Sequence, residues 1–166
     1  MNAKLLRVLL LVATIFTLNS CSSEDAETTS SDTSNAKVMN YTYNATELEA
    51  MELINEYRVS VGLNALQQIN HISFKSEEHD DYMISNNVVN HNNFVSRSEN
   101  LISVLGAKRV GENVAYNYNT PKAALTAWLN SPSHKENIVG NYTHFGIAIK
   151  TNADGKKYYT NIFAKI

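Results

Sequence analysis

Residues 128–138 read Trp-Leu-Asn-Ser-Pro-Ser-His-Lys-Glu-Asn-Ile, and this stretch decides more of the fold than any other. Its Ser-Pro pair ends one helix and begins another, because proline interrupts a helix but suits a first helical turn. The helix that ends there begins at Thr120, an N-cap residue followed by proline. Trp128 is predicted to anchor this helix in the core, where large aromatic side chains usually pack.

Downstream of that stretch, the hydrophobic period changes from that of a helix to that of a strand. Apolar residues alternate with small or polar ones over residues 145–149 and again over residues 157–164. Between them, residues 152–155 (Asn-Ala-Asp-Gly) have the chemistry of a turn. This pattern predicts a β-hairpin. Residues 114–118 predict a further short strand.

Three helices are predicted upstream of the strands. Residues 46–49 (Thr-Glu-Leu-Glu) form a capping box that opens a first helix, which ends at Gly62. A second helix is predicted from residue 69 to residue 86. Residues 96–99 (Ser-Arg-Ser-Glu) form another capping box, and the short helix that follows stops at Gly106. Helices first and antiparallel strands at the end predict an α+β domain.

The first 20 residues are predicted to be a lipoprotein signal peptide. Lys4 and Arg7 lie in or beside an almost wholly apolar run over residues 5–18, which is short for a membrane-spanning helix. The following Leu-Asn-Ser-Cys resembles the sequence at which lipoprotein signal peptides are cleaved, with Cys21 as the lipid-bearing residue. The alternative is an ordinary signal peptide followed by an unmodified cysteine. The prediction is an exported protein that a lipid on Cys21 anchors to the membrane of the bacterial cell envelope.

A tether is predicted between the lipid and the domain. Residues 22–36 contain no large apolar side chain, so residues 21–45 are interpreted as the lipidated cysteine and a disordered linker, and residues 46–166 as the domain. The acidic start of the linker resembles a signal that sends some lipoproteins to the cell surface, which would place the protein on the outer membrane. Alternatively, these are solvated linker residues.

Charge and cysteine content exclude two classes of protein. Removing Lys4 and Arg7 with the signal peptide leaves 12 basic against 16 acidic side chains, a formal charge of −4. That balance argues against a nucleic-acid partner. Cys21 is the only cysteine, so no intrachain disulfide can form.

Four segments, in order along the chain, match the motifs of one known family: 54–58 (Ile-Asn-Glu-Tyr-Arg), 90–92 (Asn-His-Asn), 111–115 (Gly-Glu-Asn-Val-Ala), and 128–138 with the 145–148 strand (Phe-Gly-Ile-Ala) behind it. The chain resembles the CAP superfamily, which includes cysteine-rich secretory proteins, antigen 5 and plant pathogenesis-related proteins, and it is most similar to the bacterial branch. The resemblance covers residues 47–164. It implies an α-β-α sandwich with a central antiparallel sheet.

The resemblance also implies a polar cleft with two histidines and two acids. By motif position, His91 and His134 match the histidines and Glu112 matches the first acid, whereas Ser131 occupies the position of the second acid. Two imidazoles and a carboxylate can bind Zn²⁺ or another divalent metal. The alternative is a cleft whose polar side chains satisfy one another.

Two functions follow from this resemblance. The first is a binding module at the cell envelope, whose cleft takes a lipid, glycan or protein ligand. The second is a metal-assisted hydrolase of peptides or envelope polymers, in which His91 and His134 hold zinc and Glu112 is the candidate catalytic residue that activates the bound water. Ser131 in place of the second acid favours binding. A purely structural envelope protein is a third interpretation.

The remaining histidines are given structural roles. His79 lies on the apolar stripe of the second helix and is predicted to be a core histidine. His71, near the start of that helix, is predicted to be exposed. His144 lies on a strand and could support the cleft from behind.

Overall fold

The structure is a computed structural model and describes residues 37–166. The predicted signal peptide, Cys21 and most of the predicted tether lie outside the described residues. Five helices and four strands follow one another in this part of the chain: α1 Ala45–Ser60, β1 Gln67–Gln68, α2 Asn70–Asn86, α3 Phe94–Leu105, β2 Arg109–Tyr116, α4 Pro121–Asn130, α5 Pro132–Ile138, β3 His144–Thr151 and β4 Lys157–Lys165. Over these residues, no helix combines the length and the apolar character that a membrane crossing requires.

The strands form one sheet in the order β1-β3-β4-β2. The predicted hairpin is confirmed, with β3 and β4 antiparallel and Phe145 opposite Phe163. β2 pairs antiparallel with β4 along its whole length and is an edge strand. The sheet is not purely antiparallel, because β1 adds a two-residue parallel pair beside β3. Two glutamines give no periodic signal, so this strand is not predictable from the sequence pattern.

Helices cover both faces of the sheet. Alternate residues of β4 point to opposite sides, so that Tyr159 and Phe163 pack with α1, α4 and α5. Ile162 and its same-face neighbours pack instead with Ile72 of α2 and Leu101 of α3. Trp128 is buried in the first of these clusters, as predicted. The fold is therefore an α+β sandwich of two helical layers around a central sheet.

The first helix begins earlier than predicted. Asn44, rather than Thr46, is the N-cap, and Glu47, rather than Glu49, completes the capping box with it. Asparagine is at least as good an N-cap as threonine. The Glu47 carboxylate is buried and also accepts a hydrogen bond of 3.0 Å from the backbone of Ile149. This long-range bond ties the start of α1 to β3, which local sequence does not reveal.

The third helix and the second strand also differ from the prediction. α3 begins at Phe94 rather than at Ser96, after Asn93 in the left-handed conformation that asparagine tolerates. The predicted end at Gly106 is confirmed. β2 starts at Arg109 rather than near Val114. Its first half was not predicted because its polar residues face a cluster of polar partners instead of solvent.

His71 is buried, and the prediction that it is exposed was wrong. Its Nδ1 accepts a hydrogen bond of 3.0 Å from the backbone of Met39, and its Nε2 lies 2.8 Å from Asn100 Oδ1. The covering segment, residues 37–44, belongs to the predicted tether yet contacts the domain. Tyr43 in this segment accepts a hydrogen bond from Ser73 of α2.

Candidate functional site

A cavity of about 360 Å³, here called the β2 pocket, opens beside the first half of β2. Its walls come from the α2–α3 loop, α3, β2, α5 and the α5–β3 loop. Most of the lining residues carry an aromatic ring or a planar polar group. The lining consists of His91, Phe94, Arg109, Val110, Gly111, Glu112, Asn137 and Tyr142. Two of the sequence-predicted residues, His91 and Glu112, are therefore in one pocket.

Glu112 is the buried centre of the site. Its side chain is only 2% exposed, and β2 directs it towards α2 and α3. Arg97 of α3 forms a bidentate pair with it, through Nε to Oε2 and Nη2 to Oε1, both at 2.8 Å. His91 Nδ1 lies 2.8 Å from Oε1. Arg97 also donates to the carbonyl of Asn92, which fixes the loop that carries His91.

The Glu112 contact fixes the orientation of the His91 ring. A carboxylate only accepts hydrogen bonds, so His91 Nδ1 carries the proton and Nε2 is an acceptor in the neutral ring. The His91 side chain is 51% exposed. The pocket therefore offers Nε2 of His91 as a hydrogen-bond acceptor of fixed orientation. Glu112 holds the His91 ring in place, and Arg97 holds Glu112.

His134 does not share this pocket. It lines a second cavity of about 300 Å³ beside the other half of β2, together with Tyr116 and Trp128. His134 Nδ1 lies 2.7 Å from Ser131 Oγ. Burial lowers the pKa of His134, and a proton on His91 would lower it further, so the His134 ring is neutral near pH 7. Ser131, at the position of the family's second acid, thus serves as a hydrogen-bond partner of His134.

Side chains of residues 128–138 hydrogen-bond to the edge of β2 that pairs with no other strand. Trp128 Nε1 donates to the carbonyl of Val114 at 2.9 Å, and Asn137 Nδ2 donates to the carbonyl of Glu112 at 3.1 Å. Asn113 also donates to the carbonyl of His134. An edge strand with unpaired carbonyls invites association with other chains. Side chains from α4 and α5 satisfy these carbonyls and hold α5 against the site.

Arg109 supplies an exposed positive charge at the pocket wall. Its guanidinium carbon lies 5.1 Å from the centroid of the buried Tyr142 ring, within cation–π range. Gly111 lets Tyr142 approach β2, because a Cβ there would lie 2.4 Å from the Tyr142 hydroxyl. The pocket thus has a fixed cationic wall.

Residues 51–163 match the model of the cysteine-rich secretory protein (CAP) family. This chain belongs to the CAP family. It does so with a single cysteine, Cys21, which precedes the matched region.

Two curated relatives come from Bacillus subtilis. The chain is 32% identical over 123 residues to the uncharacterized membrane protein YlbC, an alignment that covers 72% of this chain and 34% of that protein. It is 32% identical over 107 residues to the uncharacterized protein YkwD, covering 62% of this chain and 42% of that protein. The chain therefore spans well under half the length of either relative.

Solved structures share the fold. An outer surface protein from Borrelia burgdorferi superposes with a TM-score of 0.66 at 22% identity, over 76% of this chain and 98% of that one. An extracellular protein with an SCP domain from Bacillus anthracis superposes with a TM-score of 0.63 at 26% identity, over 73% of this chain and 40% of that one. These likenesses bear out the sandwich fold.

The metal that the CAP resemblance suggested does not fit these residues as they are arranged. Both oxygens of Glu112 are bound by Arg97, and His134 lies in the other cavity. Among residues 37–166, no group of three or more His, Cys, Asp or Glu side chains is placed to hold a metal ion. A Glu112 that is already paired is also poorly placed to take a proton from water.

Sequence reasoning missed Arg97, Arg109 and Tyr142 as site residues. Arg97 lies 15 residues from Glu112 along the chain and was interpreted only as part of a helix start. Its one-turn spacing from Phe94 could have placed both side chains at the same helix end.

His79 is buried, as predicted, and lies 3.9 Å from Glu112 Oε1. His144 is absent from the lining of both cavities.

Proposed function

We propose that this CAP domain is an exported, envelope-anchored binding module that takes a glycan in the β2 pocket. The observation that carries the proposal is the pairing of His91 Nδ1 with the buried Glu112, which leaves Nε2 at the pocket as an oriented acceptor. Specific binding sites place a few polar groups accurately within a mixed apolar wall. A sugar hydroxyl is a suitable donor to an imidazole nitrogen.

The other walls favour a glycan over a lipid or a protein segment. Phe94 is half-buried and offers an apolar surface beside the polar groups, as an amphiphilic sugar ring requires. Arg109 adds a planar group of N–H donors that suits hydroxyl and carbonyl oxygens. The open, mixed pocket is less suited to an acyl chain. The outer-surface and extracellular relatives support an envelope location, and the anchor on Cys21 belongs to the same proposal.

The alternative of a metal-assisted hydrolase loses support in this geometry. That mechanism needs a bound metal and a free carboxylate beside it. Here Arg97 hydrogen-bonds to both oxygens of the Glu112 carboxylate. Both side chains are buried, and the low dielectric around them strengthens their attraction.

Co-sedimentation of the purified protein with peptidoglycan sacculi tests the proposal. We expect His91→Ala to weaken binding at least about tenfold, which corresponds to about 1.4 kcal/mol, because the oriented acceptor is lost. His144→Ala is the matched control, since His144 lies outside both cavities, and it should bind as the unmodified protein does.

Two results would contradict the glycan assignment. One is equal sedimentation of the unmodified protein and His91→Ala, or none of either. The other is His91-dependent binding to phosphatidylglycerol vesicles without binding to sacculi, which would make the ligand a lipid.

A further inference from the structure

Two basic residues lie directly opposite each other on neighbouring strands beside the β2 pocket. Arg109 begins β2 and lines the pocket, and its register partner on β4 is Lys165. Directly opposite residues of an antiparallel pair project to the same face, where like charges destabilise the sheet. The ion pairs among residues 37–166 include neither residue. Two adjacent positive charges therefore have no carboxylate partner there, in a chain whose formal net charge is −2.

Neutral groups hold both cations in place. The Arg109 guanidinium carbon lies 5.1 Å from the centroid of the Tyr142 ring. Burial raises the pKa of Tyr142, so its hydroxyl is uncharged at neutral pH. Lys165 Nζ donates to Oδ1 of Asn141 at 3.1 Å, which leaves further donors of its ammonium for a ligand. The adjacent residues Asn141 and Tyr142 thus position the two charges without neutralising them.

We propose that Arg109 and Lys165 form an anion subsite beside the β2 pocket, and that the glycan is an acidic one whose carboxylate binds there. This inference rests on the proposed glycan function. The guanidinium fork matches the two oxygens of a carboxylate, and the ammonium adds a second charge. A phosphodiester in an envelope polymer presents similar anionic oxygens, and the competition experiment below distinguishes the two sources.

The subsite would select among glycans more than it would raise affinity. A neutral glycan would cover Arg109 without compensating its charge, and desolvating a charge without a partner costs free energy. An acidic glycan supplies that partner and relieves the repulsion between Arg109 and Lys165. Exposed ion pairs each contribute only about 0.2–1 kcal/mol, because water and salt screen them.

Co-sedimentation with sacculi before and after amidation tests the inference on the unmodified protein. Carbodiimide coupling of a neutral amine converts the sacculus carboxylates to uncharged amides and leaves the sugar chains in place. We expect the protein to bind amidated sacculi about tenfold more weakly, the effect of two exposed ion pairs. Raising the NaCl concentration should remove most of the difference, because salt screens exposed charges.

Paired variants assign the effect to the two residues. Arg109→Gln/Lys165→Gln should bind native sacculi about tenfold more weakly and should no longer distinguish native from amidated sacculi. Lys122→Gln/Lys157→Gln is the matched control, because it removes the same charge from residues outside the β2 pocket, and it should bind as the unmodified protein does. Arg109→Lys keeps the charge and should bind native sacculi more tightly than Arg109→Gln, which a purely structural role of Arg109 would not produce.

The two proposals fail in different ways. His91-dependent binding that is equal for native and amidated sacculi would overturn this inference and leave the glycan proposal standing. Retention on polygalacturonate beads through Arg109 and Lys165, unaffected by His91→Ala, would support the subsite and overturn the role of His91. No binding to either material would overturn both. Displacement from sacculi by a glycerol-phosphate polymer, but not by polygalacturonate, would overturn the carboxylate assignment in favour of phosphate.

Discussion

Gly146→Ala should destabilise the protein by at least about 3 kcal/mol, a large fraction of the stability of a typical domain. A Cβ at this position in β3 would lie 2.4 Å from the backbone nitrogen of Ser73 and 2.7 Å from the carbonyl carbon of Ile72. Both are backbone atoms of α2, so no side-chain rotation can relieve the clash. α2 would have to move away from the sheet, and it carries His79 into the site.

Urea unfolding, followed by far-UV circular dichroism and by the fluorescence of Trp128, measures this effect. The control is Thr151→Ala at the exposed end of the same strand, for which a change within about 0.5 kcal/mol is expected. Equal stability of Gly146→Ala and the unmodified protein would show that α2 does not pack directly on β3 at Gly146.

Arg58→Met should cost about 3 kcal/mol of stability and should also loosen the β2 pocket. The fully buried guanidinium of Arg58 donates to the carbonyls of Asn64, Ile138 and Gly140 at 2.6–3.0 Å. Its substitution leaves the carbonyls of Asn64 and Ile138 without a donor, each at a cost of about 1–3 kcal/mol, partly offset because a buried charge is also removed. The carbonyl of Gly140 keeps the N–H of Tyr142 as a donor. Ile138 and Gly140 lie between Asn137 and Tyr142, which line the pocket.

The same urea experiment measures the stability of this variant. Hydrogen exchange of residues 136–142 measures the loosening, and we expect faster exchange there than in the α2 backbone. Thr151→Ala again serves as the control because Thr151 is exposed at the end of β3, and it should leave both quantities nearly unchanged. Unchanged stability or unchanged exchange in Arg58→Met would contradict the role assigned to this residue.

The sequence predicts most of the elements because their signals are local. Thr120 and Pro121 start α4, Gly106 ends α3, and the alternation of residues 145–149 marks β3, all within a few neighbouring positions. The start of α1 was misplaced because the deciding contact, from Glu47 to Ile149, spans 102 residues. His71 was misjudged for a related reason, since residues 37–44 cover it from outside the predicted domain.

The site could be predicted only in part. Family motifs grouped His91 with Glu112, and the structure brings them to 2.8 Å. The same motifs grouped His134 with them, whereas Ser131 holds His134 at the second cavity. Of the residues around Glu112, Arg97 has the largest effect on its chemistry, because it bonds both carboxylate oxygens. The sequence around Arg97 gives no indication of that role. An arginine inside an amphipathic helix is ordinarily solvated, and only the packing of α3 against β2 buries this one.

The tautomer of His91 tests the central claim most directly. In the purified protein, the ¹⁵N chemical shifts of the neutral His91 ring should show a proton on Nδ1 and an unprotonated Nε2. Adding one equivalent of Zn²⁺ should leave both shifts unchanged, because Arg97 holds the carboxylate. A proton on Nε2 instead, or a Zn²⁺-dependent shift of the His91 nitrogens, would contradict a metal-free cleft in which Glu112 orients His91 towards its ligand.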